Sequence, residues 1–421
     1  MRTRTMYRSV AALAALSMVA AACGGDDDES GSTATTAAAT AEEESAAEEP
    51  AAEATAEEEA AEEEAAEEEA AEETAAEETA AEEAAAAECE TPDEVSLQLQ
   101  WFTQAQFAGY YAADSEGFYA DHCLDVTIVE GGVEIVPQTQ LANGDVDFAI
   151  SWVSKALASR EAGADIVNIA QVFGRSGTLQ VAFADSGIAA PADFAGKNIG
   201  NWGFGNEFEL FAALGQAGLD PAADVTLIGQ QFDMNALLDG SIDAAQAMTY
   251  NEYAQVLETI NPDTGDLYQP EDFNVVNYTD EGVGMLQDAI WAAADRLADD
   301  AEYRDAAVRF VAASLHGWAF CRDNVEACTE IVLAAGPQLG ASHQLWQMNE
   351  VNKLIWPSTG DAVGRMNQAD WDQTVELSLN TPNQEGSTVL TAQPDDGAFT
   401  NEIVDEALAL LDTAVDVVGA D

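Results

Sequence analysis

Residues 95–129 read VSLQLQWFTQAQFAGYYAADSEGFYADHCLDVTIV, and this stretch decides the fold. Its first part, 96–101, alternates apolar and polar residues, which is typical of a strand with one buried face. A helical pattern follows over 107–119, and a second strand pattern covers 124–129. A strand, a helix and a strand in this order form the unit from which open parallel α/β sheets are built. The stretch therefore predicts an α/β protein.

The same alternation continues toward the C-terminus in two sets. The first set is completed by strands at 147–150 and 166–173 and by helices at 136–142 and 155–162. The second set begins after Pro191. It has strands at 198–202, 225–228 and 244–248 and helices at 206–216, 234–238 and 250–260.

Beyond Trp291 the chain turns helical, with helical patterns at 301–320, 324–335, 342–354 and 402–418. Two α/β sets, the second inserted between the first and a helical C-terminal tail, predict two lobes with a cleft between them. We place the first lobe at 91–183 and 284–421 and the second lobe at 184–283. The chain is expected to cross between them near 178–184 and 277–286. Each lobe is expected to hold an open, mostly parallel sheet flanked by helices.

The N-terminus has the pattern of an export signal. Three arginines precede an apolar run at 10–22 that is too short to span a bilayer but suits a secretory signal peptide at 1–22. The run ends in three alanines followed by Cys23, which resembles the lipobox of bacterial lipoproteins and implies a lipidated Cys23. Ala20 departs from that pattern, where Leu is usual. The alternative is an ordinary signal peptide with a chance cysteine at its end.

Residues 23–90 lack the composition of a folded domain. Of the 79 acidic residues in the chain, 27 lie in 26–90, a segment of Ala, Glu and Thr near-repeats without a basic or aromatic residue. Such a segment has nothing to bury, and its carboxylates repel one another. We predict a disordered acidic tether between a lipid anchor and the folded lobes. A cation-binding acidic tail is the alternative.

The net charge of −66 excludes polyanionic partners. Even without the tether, residues 91–421 carry 52 acids and 10 bases. Binding to nucleic acid is driven by Lys and Arg neutralising phosphates, and these residues are scarce here. Nucleic acids and anionic lipid headgroups are therefore excluded as partners.

Four cysteines remain after Cys23, and an exported protein meets an oxidising compartment. Cys321 and Cys328 flank a short turn between two predicted helices, which suits a disulfide, and Cys89 and Cys123 would then form the second. Four cysteines allow three pairings, and the sequence does not choose among them. Free or metal-binding thiols are the alternative, but there is no Cys-x-x-Cys pair to support a metal site.

Several segments of both lobes resemble one family of solute-binding proteins. The first lobe contributes WFTQAQFAGYYAA at 101–113, EGFY at 116–119 and GDVDFAI at 144–150. The second lobe contributes GKNIG at 196–200, NEFEL at 206–210, QFDM at 231–234 and DAAQAMTYNE at 243–252. Together they are similar to the thiamine-pyrimidine-precursor-binding family of ABC importer components, which is related to sulfonate- and nitrate-binding proteins. The resemblance covers about 95–355.

This resemblance implies the type II periplasmic-binding-protein fold, in which two lobes close over a small ligand. The expected ligand is a thiamine pyrimidine precursor or, as in some relatives, riboflavin. The expected partner is an ABC transporter permease with its ATPase, and membrane contact is expected through the lipid anchor only. The protein is thus expected to be an extracytoplasmic monomer, lipid-anchored to the bacterial cell membrane, with no cofactor.

Aromatic residues follow four predicted strands, at Trp101, Trp152, Trp202 and Tyr250. In an open α/β sheet, ligands bind outside the carboxyl ends of the strands, where a planar heterocycle could stack between such rings. Core packing is the alternative for each ring. The predicted ligand-binding set adds nearby polar and aromatic side chains and comprises Trp101, Gln104, Gln106, Tyr110, Ser151, Trp152, Trp202, Phe204, Asn206, Glu207, Tyr250, Asn251 and Glu252.

The sequence gives less support to two other functions, an enzyme and an anion-binding protein. Eukaryotic relatives synthesise the thiamine pyrimidine with a cysteine-rich stretch and a Lys and a His in the turn corresponding to 151–155. Here Ser151 and Lys155 hold those positions, and the three histidines, one of them His343, are scattered. Binding of nitrate, a sulfonate or another small anion needs convergent donors, and the cleft segments offer only Lys155 and Arg175. The sequence therefore predicts a binding protein without enzymatic activity.

Overall fold

The computed structural model describes residue 89 and residues 91–419. The chain divides into two units, 1–74 and 75–421, and every described residue belongs to the second. The predicted signal peptide, the predicted lipidation at Cys23 and the tether up to residue 88 lie outside the described residues.

The described residues form ten strands and thirteen α-helices. The strands are β1 Asp93–Gln98, β2 Leu124–Val129, β3 Phe148–Trp152, β4 Ile166–Gln171, β5 Thr178–Phe183, β6 Asn198–Asn201, β7 Thr226–Gly229, β8 Ala245–Met248, β9 Phe273–Asn277 and β10 Asp288–Ala293. The helices are α1 Ala108–Ser115, α2 Phe118–Asp121, α3 Pro137–Asn143, α4 Val153–Glu161, α5 Phe208–Gln216, α6 Asn235–Leu238, α7 Glu252–Leu257, α8 Ala294–Asp299, α9 Ala301–Asp323, α10 Val325–Ala335, α11 Ala341–Ile355, α12 Gln368–Asn380 and α13 Glu402–Leu408.

The first lobe is built on a five-stranded sheet in the order β2-β1-β3-β10-β4. Its strands are parallel except β10, which runs antiparallel to both of its neighbours. The long helix α9 is capped by Asp300, whose carboxylate accepts hydrogen bonds from two backbone N–H groups of the first turn. In the core, Phe310 of this helix stacks on Phe148 of β3, with ring centroids 4.3 Å apart.

The second lobe repeats this arrangement. β5 is antiparallel to both β8 and β9, and β6 is parallel to β7. A parallel bridge between Ile199 and Ala244 joins β6 to the edge of β8. The combined order is β7-β6-β8-β5-β9, again with one antiparallel strand in fourth place. In both lobes this fourth strand is the one that enters from the other lobe, and the mostly parallel α/β architecture is confirmed.

The boundary between the lobes differs from the prediction at one point. Residues 178–183 were expected to end the first lobe and to hold the first crossing, but they form β5, which pairs with β8 and β9 of the second lobe. The crossing segments are therefore 172–177 and 278–287. Gln287 ties them together, because its amide donates to Ser176 Oγ at 3.0 Å and to Thr178 Oγ1 at 2.8 Å, and its oxygen accepts from the N–H of Gly177 at 2.9 Å.

The helical tail also differs from its pattern. The last helix ends at Leu408 rather than at residue 418. Beyond it the chain is held by tertiary contacts, since the N–H of Val363 donates to the carbonyl of Val417 and the N–H of Ser358 to that of Val418. These bonds outweigh the helix propensity of an Ala- and Leu-rich segment. Strands β5, β9 and β10 and helices α8 and α12 are additional to the predicted elements.

Disulfides join Cys89 to Cys123 and Cys321 to Cys328, with Cα–Cα distances of 5.6 Å and 5.2 Å. Of the three possible pairings, this is the one favoured by the short turn at 322–327. The second disulfide links the end of α9 to the first turns of α10. None of the helices in the described part of the chain is long and apolar enough to cross a membrane.

Candidate functional site

A cleft of about 390 Å³ is lined by residues of both lobes. This volume lies within the ~300–1,000 Å³ range of small-molecule sites. The walls come from the carboxyl ends of β1 and β3 in the first lobe and of β6, β7 and β8 in the second. The cleft thus occupies the edge where parallel strands of both sheets end.

Aromatic rings from both lobes form the walls of the cleft. Trp152 and Trp202 are 8% and 7% exposed, so each presents one edge or face of a mostly buried indole. Between the lobes lies Phe232, from the loop after β7. Its ring centroid is 4.6 Å from that of Trp101 and 5.8 Å from that of Trp202, and it is inclined 25° to the latter. Tyr250, which is almost fully buried, completes the second-lobe wall.

The floor of the cleft in the first lobe is organised by Asp288, the first residue of β10. Its carboxylate accepts hydrogen bonds from Trp152 Nε1 at 2.8 Å, from Gln106 Nε2 at 2.9 Å and from the amide of Gln100. Burial raises the pKa of Asp288 to about 7, although these hydrogen bonds and the charge of Lys155 favour the ionised form. The donors Trp152, Gln106 and Gln100 all line the cleft.

Lys155, in the first turn of α4, connects the floor to the second lobe. Its Nζ lies 4.5 Å from the centroid of the Trp152 ring and donates to Asn206 Oδ1 at 2.7 Å. Desolvation lowers the pKa of Lys155 to about 8, an effect that the nearby carboxylates of Glu207 and Asp288 oppose. The ammonium group is therefore already engaged by the protein on both sides of the cleft.

Glu252 is the buried carboxyl group of the second-lobe wall. One of its oxygens accepts from the N–H of Met248 at 3.0 Å, and the other accepts from Asn251 Nδ2 at 2.8 Å. Burial raises the pKa of Glu252 to about 7. Because a carboxylate oxygen has more than one lone pair, both oxygens can accept a further hydrogen bond from a ligand.

The turn at 203–205 carries an exposed aromatic side chain at the rim of the cleft. Gly203, Phe204 and Gly205 all have left-handed backbone conformations, with φ of 69°, 55° and 85°. This is a strained conformation for Phe204, whose side chain is 82% exposed. Asn206 Nδ2 donates to the carbonyl of Gly203 at 2.8 Å and Glu207 accepts from the N–H of Gly205 at 3.0 Å, so the turn is held from both sides.

The cleft brings together ten of the thirteen residues predicted to bind a ligand, and their role in binding stays a prediction. The ten that line it are Trp101, Gln104, Gln106, Trp152, Trp202, Phe204, Asn206, Tyr250, Asn251 and Glu252.

The other three predicted residues lie behind the walls. Tyr110 packs edge-on against Trp318 in the core, with ring centroids 5.6 Å apart. The hydroxyl of Ser151 is buried and accepts from the amide of Gln138. Glu207 supports the turn at 203–205, and burial raises its pKa. Arg175 also lies away from the cleft, because its guanidinium donates to the carbonyl of Pro357 at 2.8 Å.

Sequence reasoning missed several residues of the site. Gln100, which directly precedes Trp101, was not among the predicted ligand-binding residues. Phe232 lies within the segment QFDM, which carried part of the family resemblance but was given no role. The loop after β2 contributes an apolar rim, comprising Val133, Ile135, Val136 and Pro137. Asp288 begins a strand that the sequence pattern did not indicate.

The family described as NMT1/THI5 like matches residues 104–327, which is more than half of the chain. The chain belongs to this family. The match includes the cleft-lining residues from Gln104 to Glu252. The resemblance noted in the sequence is therefore confirmed.

Two relatives of this NMT1/THI5-like chain carry binding-protein names. It is 26% identical over 217 residues to the formylaminopyrimidine-binding protein of Halalkalibacterium halodurans, spanning 49% of this chain and 65% of that protein, just under two thirds of its length. It is also 26% identical over 325 residues to the riboflavin-binding protein RibY of Chloroflexus aurantiacus, spanning 75% of this chain and 87% of that protein. One relative, from Legionella pneumophila, is instead named 4-amino-5-hydroxymethyl-2-methylpyrimidine phosphate synthase, with 27% identity over 32% of this chain and 42% of that protein.

Solved structures show the same fold. The periplasmic aliphatic sulphonate binding protein SsuA of Escherichia coli matches 68% of this chain and 86% of its own, with a TM-score of 0.52 and 18% identity. The NMT1/THI5-like chain thus has the fold of the periplasmic solute-binding proteins.

Proposed function

We propose that this protein is an extracytoplasmic solute-binding protein that captures a small aromatic N-heterocycle and delivers it to an ABC importer permease. The ligand class is a thiamine pyrimidine precursor or a riboflavin-like vitamin. The observation that carries the proposal is the convergence of indole and phenyl rings from both lobes on one cleft that is also lined by the buried carboxyl group of Glu252.

The rings supply the first part of recognition. Trp101 and Phe232 approach from the first and second lobes, and Trp202 lies behind Phe232. A planar ring bound among them gains stacking worth about 0.5–1.5 kcal/mol per aromatic pair beyond the burial of its surface. Because the rings belong to different lobes, such a ligand would favour the closed arrangement over an open one.

Carboxyl groups supply the second part of ligand recognition. Glu252 lines the second-lobe wall and can accept hydrogen bonds from amino groups or ring N–H groups of a ligand. Asp288 lies beneath the first-lobe floor and holds the side chains that line it. A carboxylate beside a ring nitrogen also favours the protonated, cationic form of a basic heterocycle. These features suit a nitrogen heterocycle better than a hydrocarbon of the same shape.

Small anions fit the cleft less well. Among the described residues that line it, Lys155 carries the only side chain that is positive at neutral pH, and its ammonium group already donates to Asn206. An anion there would also face the buried carboxyl groups. Nitrate and sulfonate binding are therefore not proposed.

Catalysis is not proposed either. The four cysteines that the structure describes are all in disulfides. Within residues 91–419, no cluster of His, Cys, Asp and Glu side chains could hold a metal ion. The relative that spans most of this chain is named a binding protein, and the synthase relative covers only 32% of this chain.

The remaining assignments follow from the same role. We propose attachment to the bacterial cell membrane through lipidated Cys23, a monomeric state, and an ABC transporter permease with its ATPase as partner. Labelling with a radioactive fatty acid, with Cys23→Ser as the control, tests the anchor.

Calorimetry and tryptophan fluorescence test the ligand class. The protein is purified under mild conditions, copurifying small molecules are identified by mass spectrometry, and the refolded, ligand-free protein is titrated with an aminopyrimidine, riboflavin, nitrate and an alkanesulfonate. One-to-one binding of a heterocycle without turnover is expected. Tight binding of an anion and of neither heterocycle would contradict the proposal.

A pair of variants localises the binding to the cleft. Trp101→Ala should weaken the affinity by about tenfold or more because it removes one stacking face. Phe183→Ala is the matched control, since this half-buried aromatic of β5 lies outside the cleft and packs on Phe273. Equal effects of the two substitutions would remove Trp101 from the site.

A further inference from the structure

Asp288 lies beneath the cleft at the beginning of a strand, whereas the neighbouring strands contribute their carboxyl ends. It is the first residue of β10, which runs antiparallel to β3 and places Asp288 directly opposite Trp152. The start of this strand therefore lies at the edge where its parallel neighbours end. The side chain is 2% exposed and lies under the cleft floor rather than in it.

The three hydrogen bonds to Asp288 fix which atom of each donor faces it. The indole Nε1–H of Trp152 can only donate, so Asp288 Oδ1 must accept. The ionised Oδ2 likewise only accepts, so Gln106 turns its NH₂ group toward it at 2.9 Å. Gln100 also points its NH₂ group at Asp288.

The orientation of the Gln106 amide determines the orientation of the next amide, which lies at the cleft surface. With its NH₂ group on Asp288, Gln106 presents Oε1 to Gln104, whose Nε2 donates to it at 2.7 Å. Gln104 is then left with Oε1 for the cleft. In the described part of the chain no protein group donates to Oε1 of Gln104 or of Gln100, and both side chains line the cleft.

We propose that Asp288 is a specificity-determining positioning residue, whose carboxylate orients Gln100, Gln106 and Gln104 so that the cleft presents acceptors and selects ligands rich in N–H donors. This inference rests on the proposed function and narrows its ligand class. Glu252 on the opposite wall also offers only acceptors when ionised. An amino-substituted ring satisfies both walls, whereas a carbonyl at the same position would face unpaired oxygens.

Asp288→Asn is predicted to change the group that Gln104 presents to the cleft from an acceptor to a donor. The substitution leaves the side-chain volume at residue 288 nearly unchanged. Asn has one acceptor oxygen, which the Trp152 N–H holds, so its NH₂ group faces Gln106. Gln106 must then turn its oxygen toward residue 288 and its NH₂ group toward Gln104. Gln104 turns in response and presents Nε2 to the cleft, which becomes a donor where it was an acceptor.

The test compares two probes that differ at one atom group. The probes are 4-amino-5-hydroxymethyl-2-methylpyrimidine and its 4-oxo counterpart, titrated calorimetrically into the full chain, with riboflavin as a third ligand. The unsubstituted protein should prefer the amino probe by about tenfold or more, and Asp288→Asn should reduce or invert that ratio by about tenfold. Glu209→Gln, which removes another buried carboxyl group outside the cleft, should leave the ratio unchanged.

Two further variants protect the test against misfolding and against a general loss of affinity. Asp288→Asn with Gln104→Glu should restore the amino preference, because a carboxylate cannot turn into a donor. Should circular dichroism show Asp288→Asn to be unfolded, Gln106→Met interrupts the same chain of amides while leaving Asp288 in place, and it should lower the preference.

Each remaining outcome counts against the inference. An unchanged ratio in Asp288→Asn, or an equal loss for both probes, would make Asp288 a purely structural residue. A preference of the unsubstituted protein for the oxo probe or for riboflavin would overturn the inference and leave the proposed function intact. Failure to bind any of the three heterocycles would overturn both.

Discussion

Nε2 of His343 lies 2.8 Å from Oδ1 of Asn251, and Nδ1 of the same ring lies 3.0 Å from Glu258 Oε2. His343 belongs to α11, which is fixed to the first lobe by hydrogen bonds from the N–H of Ala105 to Gln344 and Gln347. Asn251 and Glu258 belong to the second lobe. A single imidazole therefore joins the lobes beside the cleft, and its Nε2 contacts the amide that supports Glu252.

His343→Ala is expected to weaken heterocycle binding by up to about tenfold, because hydrogen bonding between the lobes worth about 0.5–1.5 kcal/mol is lost from the closed arrangement. The measurement is calorimetric titration. His122→Ala is the matched control, since His122 is a half-buried histidine that does not line the cleft. If both variants bind alike, the bridge between the lobes does not contribute to affinity.

The affinity for an amino-substituted heterocycle is expected to fall as the pH is lowered from 8 to 5. Burial raises the pKa of Asp288 and of Glu252 to about 7, so both groups lose their negative charge over this range and with it part of their capacity to accept hydrogen bonds. Titrations at a series of pH values measure the effect. Glu252→Gln should flatten the profile; a profile that rises toward acid pH would contradict this assignment.

The contribution of Glu209 to the stability of the ligand-free protein should fall as the pH rises. Glu209 is buried, with one oxygen accepting from the N–H of Met285 and the other without a partner among the described residues, and burial raises its pKa to about 7. A pKa raised on folding gives stability at acid pH that is lost as the pH rises through about 7. Relative to the unsubstituted protein, Glu209→Gln should therefore gain stability between pH 5 and pH 8 in urea unfolding. A constant difference across this range would mean that folding does not raise the pKa of Glu209.

Phe204→Gly should separate stability from binding. Glycine adopts the left-handed conformation of this position without strain, which should stabilise the fold by up to about 1 kcal/mol in urea unfolding. Loss of the exposed ring at the rim should at the same time weaken heterocycle binding. Phe102→Ala, which removes an exposed phenyl ring that does not line the cleft, serves as the control for binding. Unchanged affinity in Phe204→Gly would remove this ring from the site.

The residues that could be predicted from the sequence follow one rule. Trp152 and Trp202 lie at the ends of parallel strands, and strand patterns locate such ends to within a residue or two. Both indoles accordingly line the cleft. The same rule missed Asp288, because the site uses the beginning of an antiparallel strand and the short buried run DAIWAA has no alternation to identify it.

Other errors came from orientation rather than position. Tyr110 lies in the right segment, but the pattern of α1 does not show which of its faces meets Trp318 instead of the cleft. Phe232 reaches the cleft only because the loop after β7 turns toward Trp101, and that course depends on contacts between the lobes. Such contacts are tertiary, and no local pattern encodes them.

The central place of β10 in the first sheet has a consequence for the order of folding. β4 pairs with β10, and β10 also borders β3, so residues 148–171 await partners that follow more than 115 residues later in the chain. The second-lobe strands, in contrast, all lie within residues 178–277. Long-range pairing of this kind is slow because loop closure must come first. We therefore expect the second lobe to fold first and the first lobe to close only after β10 has paired with β3 and β4, so that the cleft forms late in folding.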